Sequence, residues 1–152
     1  MEEEKQLKFI ASMFRMAMEE FNNVMGPESL QTIFRLMGEK VGETVEKRLK
    51  EEYKIKNWKP EQFAEIFVKD VLNTALGEGG AEITFKNNEF LVKINVCPFQ
   101  RAGINISNKL FCTYTEGLIE TAAKKALGDL NFKSETLKSN GQSSCTFKLK
   151  KQ

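Results

Sequence analysis

The chain has 152 residues, of which 41% are hydrophobic and 29% charged, so residues 1–152 have the size and composition of one globular domain. Its 23 basic and 21 acidic residues leave a formal net charge of +2, too small for a field that attracts nucleic acid or an anionic membrane. No histidine is present, which excludes Ser-His-Asp and Cys-His catalysis and imidazole metal sites.

The termini and the cysteines indicate where such a protein works. No apolar run approaches the roughly 20 residues that span a bilayer. The chain begins with the acidic run Glu2-Glu3-Glu4, where a secretory signal would be basic. Three cysteines at wide spacing do not form the even framework of a secreted disulfide-rich domain. We expect a cytoplasmic protein with reduced thiols and no membrane span.

The first half of the chain is predicted to be helical. Apolar residues recur at three- and four-residue steps over residues 6–25, 27–53 and 60–76, which places them on one face of each of three amphipathic helices. Glycine and proline separate the first two helices, and Gly77 ends the third.

The apolar period changes from 3.6 to 2 at Ala81, which indicates strands. Alternation over residues 83–85 and 90–96, around the turn Asn87-Asn88, predicts a β-hairpin. A fourth helix is predicted over residues 111–127, where the helical period returns.

The last part of the chain predicts a second hairpin. Residues 130–138 and 143–150 have strand character, and they flank Asn140-Gly141, a strong signal for a tight turn. The full order is three N-terminal helices, a hairpin, a helix and a hairpin. The sequence therefore predicts an α+β domain with a four-stranded antiparallel sheet covered by helices.

Three short motifs follow one another in the second half: Cys97-Pro98-Phe99, Cys112-x-Tyr114-x-x-Gly117, and Glu135-x-x-Lys138-x-x-Gly141-x-x-x-Cys145-x-Phe147. In this order and spacing, residues 83–149 resemble the 4-vinyl-reductase type of small-molecule-binding domain. That family includes hydrocarbon-binding proteins and sensor modules, and more distantly the transport-particle (TRAPP) subunits. The resemblance implies a homodimer with an apolar ligand cavity between helices and sheet.

Aromatic residues on the predicted helices and near the first cysteine are candidates to line that cavity. The chain has 12 Phe and 6 Met, and such side chains line adaptable apolar sites or simply fill a core. The candidate ligand-binding residues are Phe14, Phe63, Phe67, Phe99, Phe111 and Tyr114.

The same resemblance implies zinc. The sensor members bind it through a cysteine before the helix, a glutamate in the next strand and two cysteines around the last hairpin. Cys112, Glu135 and Cys145 hold three of these places, but the fourth is Lys138, whose ammonium a zinc ion would repel. Cys97 could replace it. Alternatively, the cysteines are small buried packing residues.

The register of the last hairpin decides whether Glu135 and Cys145 share a face. A two-residue turn at Asn140-Gly141 pairs Phe132 with Leu149 and puts Glu135 and Cys145 on opposite faces. A three-residue turn puts them directly opposite each other. The apolar pair of Phe132 and Leu149 favours the first register.

Together, these patterns predict a small-molecule-binding sensor or carrier that holds an apolar or aromatic ligand in a cavity. Two alternatives stay open. A TRAPP-like assembly module would expose an apolar helix face. An accessory enzyme using Cys97 or Cys112 would need a thiol with a depressed pKa in a partly exposed site.

Overall fold

The computed structural model describes residues 1–107 and 109–152. The first half is helical: α1 (Glu2–Met25), α2 (Pro27–Glu52), α3 (Pro60–Phe67), a π-helical turn (Val68–Leu72) and α4 (Asn73–Leu76). The second half mixes strands and helices: β1 (Ala81–Lys86), β2 (Glu89–Ile94), α5 (Pro98–Arg101), α6 (Leu110–Leu127), β3 (Leu130–Thr136), a 3-10 turn (Lys138–Asn140) and β4 (Cys145–Lys151). The predicted α+β order is confirmed.

The four strands form one antiparallel sheet in the order β1-β2-β4-β3. Asn87 and Asn88 make the first turn with φ of 53° and 59°, which confirms the predicted two-residue hairpin. Alternate residues of the two central strands point towards the helices and are buried, among them Val92 and Phe147. The other face carries exposed residues such as Lys93. The helices therefore cover one face of the sheet.

The last hairpin has the predicted register but a longer connection. Phe132 pairs with Leu149 and Ser134 with Phe147, as the apolar pattern indicated. The register then shifts, and a 3-10 turn replaces the predicted two-residue turn. Leu137 explains the difference, because its side chain is only 7% exposed and its burial in the core draws the chain out of the strand before Asn140.

Glycines allow α2 and α6 to pack with their backbones close together. A Cβ atom at Gly42 would lie 2.8 Å from the carbonyl oxygen of Leu118, and one at Gly117 would lie 2.6 Å from that of Arg35. A Cβ at Gly38 would overlap the carbonyl oxygen of Tyr114. Any side chain at these positions would force the helices apart.

A small cluster of charged side chains links α2 to α6. Arg35 on α2 donates to Glu120 on α6 and to Glu39, and Lys124 donates to Glu120 at 2.6 Å. Burial acts to raise the pKa of Glu120, but the hydrogen bonds and positive charges of Arg35 and Lys124 outweigh burial and lower that pKa. The cluster therefore stabilises the fold while Glu120 is ionised.

A pH titration of stability should detect this cluster. Because the folded pKa of Glu120 is depressed, its contribution is present above the unfolded value of about 4.3 and is lost as pH falls through the folded value. We expect Glu120→Gln to lower the free energy of unfolding by about 1 kcal/mol at pH 7 and to reduce its decline below about pH 5. Urea unfolding from pH 3 to 7 measures both.

Glu43→Gln is the matched control, since Glu43 and its partner Lys125 are 56% and 54% exposed and their pair should contribute little. An unchanged pH dependence in the Glu120 variant would contradict the role given to the cluster.

Within the described ranges, no helix is both long and apolar enough to cross a membrane.

Candidate functional site: a cavity lined by three cysteines

A cavity of about 250 Å³ lies between the sheet and the helices. Its walls are mainly apolar and come from α2, the π-helical turn, α4, the ends of β2 and β4, the segment after β2, and α6. The lining residues are Val41, Val71, Leu72, Ala75, Leu76, Ile94, Val96, Cys97, Pro98, Phe99, Ile106, Phe111, Cys112, Tyr114, Thr115, Leu118, Cys145 and Phe147.

Two local features of the backbone open this space. The π-helical turn Val68–Leu72 breaks the regular helical period, and its last two residues line the cavity. The chain leaves the sheet after Ile94, the last residue of β2, and Pro98 then begins the short helix α5, where its fixed φ suits a first helical position. Cys97 and Phe99 are thereby carried over the cavity instead of along a strand.

All three cysteines of the chain line this cavity. Cys97 precedes α5, Cys112 lies in the first turn of α6, and Cys145 begins β4. The Cys112 thiol donates to Ser139 Oγ at 3.4 Å, and the Cys145 sulfur accepts from the backbone N–H of Lys138 at 3.3 Å. Residues far apart in sequence thus form one thiol-lined apolar site.

Burial raises the pKa of the Cys112 thiol, and the hydrogen bond with Ser139 offsets this only in part. Burial likewise raises the pKa of Cys145 above its ordinary value, against the opposing effect of the Lys138 N–H. Both groups therefore stay protonated at neutral pH. A nucleophilic cysteine needs the opposite shift, so the raised pKa of Cys112 does not favour an accessory enzyme that uses this thiol.

Alkylation by iodoacetamide tests this conclusion. At pH 7.5 we expect Cys112 and Cys145 to react roughly tenfold or more slowly than a free thiol, with rates that rise steeply beyond pH 9. Peptide mapping by mass spectrometry reports each site. In urea all three cysteines should react alike. Complete labelling of folded Cys112 as fast as N-acetylcysteine would show an activated thiol and contradict the assignment.

The proposed zinc ligands are not all brought to this cavity. Glu135 is exposed on the outer face of β3, whereas Cys145 is buried on the inner face. In residues 1–107 and 109–152, no group of three His, Cys, Asp or Glu is placed to hold a metal ion. The set of Cys97, Cys112, Glu135 and Cys145 therefore does not fit one zinc ion in this arrangement, and zinc remains a prediction from the family resemblance.

The six aromatic candidates divide into two groups. Phe99, Phe111 and Tyr114 line the cavity. Phe63 and Phe67 do not, because they stack on each other at 5.2 Å in the main core, with Phe63 edge-on to Trp58. Phe14 is 39% exposed on α1 and reaches the ring of Phe111 at 6.2 Å. Whether any of them contacts a ligand stays a prediction.

Several lining residues could not be selected from the pattern alone. Val71, Leu72 and Leu76 belong to the same apolar period as the core residue Phe67. The π-helical turn, which has no clear sequence signature, turns them towards the cavity. A side chain's position on an apolar helix face therefore does not separate core residues from cavity residues.

A second feature is the outer surface of the first two helices. None of the 24 residues of α1 is buried. Thirteen large apolar side chains of α1 and α2 are between 37% and 82% exposed. We call them the α1/α2 apolar face: Leu7, Phe9, Ile10, Met13, Phe14, Met16, Phe21, Val24, Met25, Ile33, Leu36, Met37 and Val41.

The sequence matches the family of methanogen output domain 1 (MetOD1) over residues 13–150, nearly the whole chain. The chain belongs to this family. The fold of this MetOD1 chain is similar to that of a trafficking protein particle complex subunit 3 from Naegleria fowleri that is covalently bound to palmitic acid. The two share 15% identity with a TM-score of 0.56, over 94% of this chain and 95% of the other. No curated protein shows significant similarity.

At 15% identity, this likeness establishes a shared fold and nothing finer. It supports the distant TRAPP-like fold that the family resemblance of residues 83–149 implied for this MetOD1 chain.

Proposed function

We propose that this MetOD1 chain is an assembly module that pairs with a second copy of itself through the α1/α2 apolar face. The observation that carries the proposal is α1, which spans 24 residues without burying one of them. Most helices in proteins gain their stability by packing an apolar face against other elements. A helix this apolar therefore indicates a contact surface.

The size of the face supports a stable partner. Its exposed side chains present on the order of 1,000 Å² per chain, since an aromatic side chain measures about 150–250 Å², an aliphatic one somewhat less, and about half of each is exposed. The largest apolar patch on a typical monomer is about 300–600 Å², and a stable pair buries about 800 Å² per partner. The face is thus larger than a monomer usually tolerates and large enough for a dimer.

Its composition favours an identical partner. Both helices contribute long apolar rows, and two-fold pairing would bury the same rows on each copy in a four-helix arrangement. The name of the structural neighbour, a complex subunit, and the family description as an output domain support a role exercised through protein partners.

Sedimentation analysis tests the dimer. Wild-type protein should sediment as a dimer, and Ile10→Glu combined with Met37→Glu should raise its dissociation constant about 100-fold, because both charges would be buried at the centre of the contact. Leu91→Glu, on the outer face of the sheet and 36% exposed, is the matched control and should stay dimeric. A monomeric wild type at 100 µM, roughly ten times a weak dissociation constant, would refute the proposal.

The thiol-lined cavity favours a second function, the binding of an apolar or aromatic molecule by a sensor or carrier. Burial of the ligand against these walls would supply about 25 cal/mol per Å², with Tyr114 as a polar group near it. The resemblance of residues 83–149 to 4-vinyl-reductase domains supports this function, and the structural neighbour carries a palmitoyl group. Free thiols suit a reducing compartment such as the cytoplasm.

Titration with dodecanoic acid, followed by native mass spectrometry, tests the cavity. We expect one acid per chain, and Val96→Trp should abolish binding because the indole would fill the space. Val24→Trp introduces the same ring at a site 82% exposed and should leave binding unchanged. Equal binding by wild type and the Val96 variant would place the acid elsewhere.

A further inference from the structure

The thiol-lined cavity has few polar side chains, and most of them already have a hydrogen-bond partner within the protein. The Thr115 hydroxyl donates to the carbonyl oxygen of Phe111 at 3.0 Å. The Cys112 thiol donates to Ser139, and the Cys145 sulfur accepts from a backbone N–H. These three groups therefore have little hydrogen-bonding capacity left for a bound molecule.

The hydroxyl of Tyr114 is different. Tyr114 is half-buried and lines the cavity, yet no described residue forms a hydrogen bond with its hydroxyl. A tyrosine hydroxyl that leaves water usually finds a partner, because an unpaired one loses its hydrogen bonds with the solvent. The Cys97 thiol likewise forms no hydrogen bond with a described residue, but a thiol is a weak donor. Tyr114 is therefore the strongest donor available to a ligand.

Helix packing fixes the backbone that carries Tyr114. A Cβ atom at Gly38 would overlap the carbonyl oxygen of Tyr114, so α2 packs directly against this turn of α6. Tyr114 lies one turn after Phe111 and one turn before Leu118, and all three line the cavity. The tyrosine is thus placed at the cavity wall before any ligand arrives, which reduces the free energy needed to order it on binding.

The cavity offers no partner for a charged ligand. None of the described residues that line it is Asp, Glu, Lys or Arg, and the chain has no histidine. A carboxylate or an ammonium group that entered this space would lose its water without gaining an ion pair. A neutral carbonyl oxygen needs only a hydrogen-bond donor, which the Tyr114 hydroxyl supplies.

We propose that the thiol-lined cavity selects neutral carbonyl compounds, such as ketones and esters with an apolar or aromatic body, through a hydrogen bond from the Tyr114 hydroxyl. The inference rests on the proposed ligand function, to which it adds the class of ligand and the residue that selects it. The apolar walls hold the body of the molecule, and the hydroxyl donates to its carbonyl oxygen. Without this donor the carbonyl oxygen would be buried and unpaired.

Three naphthalene compounds of nearly equal size test the selection. In 2-acetylnaphthalene, 2-isopropenylnaphthalene and 2-naphthoate the same ring carries a ketone, an alkene and a carboxylate. Isothermal titration calorimetry measures the three dissociation constants. Wild-type protein should bind the ketone about tenfold more tightly than the alkene, which accepts no hydrogen bond, and about tenfold more tightly than the carboxylate, which finds no counter-charge.

Tyr114→Phe removes only the hydroxyl. It should weaken binding of the ketone about tenfold and change binding of the alkene by less than about twofold, because the apolar walls are unchanged. Tyr53→Phe is the matched control, since Tyr53 is the other tyrosine of the chain, is 39% exposed and does not line the cavity. Its three dissociation constants should equal those of wild type.

Each contrary result separates this inference from the proposed function. If the wild-type protein binds ketone and alkene equally, or if Tyr114→Phe weakens both alike, the hydrogen bond is refuted and the cavity remains a site for apolar molecules. Tightest binding of 2-naphthoate would refute the selection of neutral ligands. If dodecanoic acid binds and none of the three compounds does, the inference fails alone. If dodecanoic acid does not bind either, the ligand function fails with it.

Discussion

Gly38→Ala should lower the free energy of unfolding by about 3 kcal/mol or more. The new Cβ would overlap the carbonyl oxygen of Tyr114, a backbone atom that cannot rotate away. In an unconstrained helix the same change stabilises by about 1 kcal/mol, because alanine is the better helix former. The sign of the effect therefore reports the close approach of α2 and α6.

Urea unfolding followed by the fluorescence of Trp58, the single tryptophan, measures the change. Trp58 is a suitable reporter because it packs on Phe63 and donates to the buried Glu46 at 2.8 Å. Lys47→Ala, on the exposed side of α2, controls for alanine substitution and should stay within about 0.5 kcal/mol. A Gly38 variant as stable as wild type would mean that the two helices are not in contact there.

Phe67→Ala should lower the free energy of unfolding by about 3–5 kcal/mol, since the ring of Phe67 is 1% exposed and its loss leaves a cavity in the main core. Phe21→Ala is the control, because it removes the same ring from a site 49% exposed on α1. Under conditions where the protein is monomeric, this change should have only a small effect on the free energy of unfolding.

The milder Phe67→Leu separates a packing role from a ligand role. Because Phe67 does not line the thiol-lined cavity, this variant should lose stability and keep its affinity for dodecanoic acid. If the variant lost acid binding at unchanged stability, Phe67 would be a ligand-binding residue, as the sequence predicted.

The secondary structure could be predicted because its causes are local. The helical period, the glycine and proline stops and the Asn87-Asn88 turn act over a few residues, and the main helices and strands lie where they indicate. The short helix α5 (Pro98–Arg101) was not predicted, and β2 ends at Ile94 instead of continuing to residue 96. The cross-strand pairing of Phe132 with Leu149 could also be predicted, since the side chains of a strand alternate between its two faces. The burial of Leu137, which lengthened the last connection, depended on the completed core.

The sequence by itself therefore determined the α+β class and the order of elements, and it favoured the register in which Glu135 and Cys145 lie on opposite faces. Only the tertiary structure decided which apolar residues are core, which line a cavity and which remain on the surface. Phe14, Phe67 and Phe111 lie on similar apolar helix faces, but Phe67 is in the core, Phe111 lines a cavity and Phe14 is on the surface. The physical reason is that periodicity defines a face of one element, whereas burial depends on which element packs against that face.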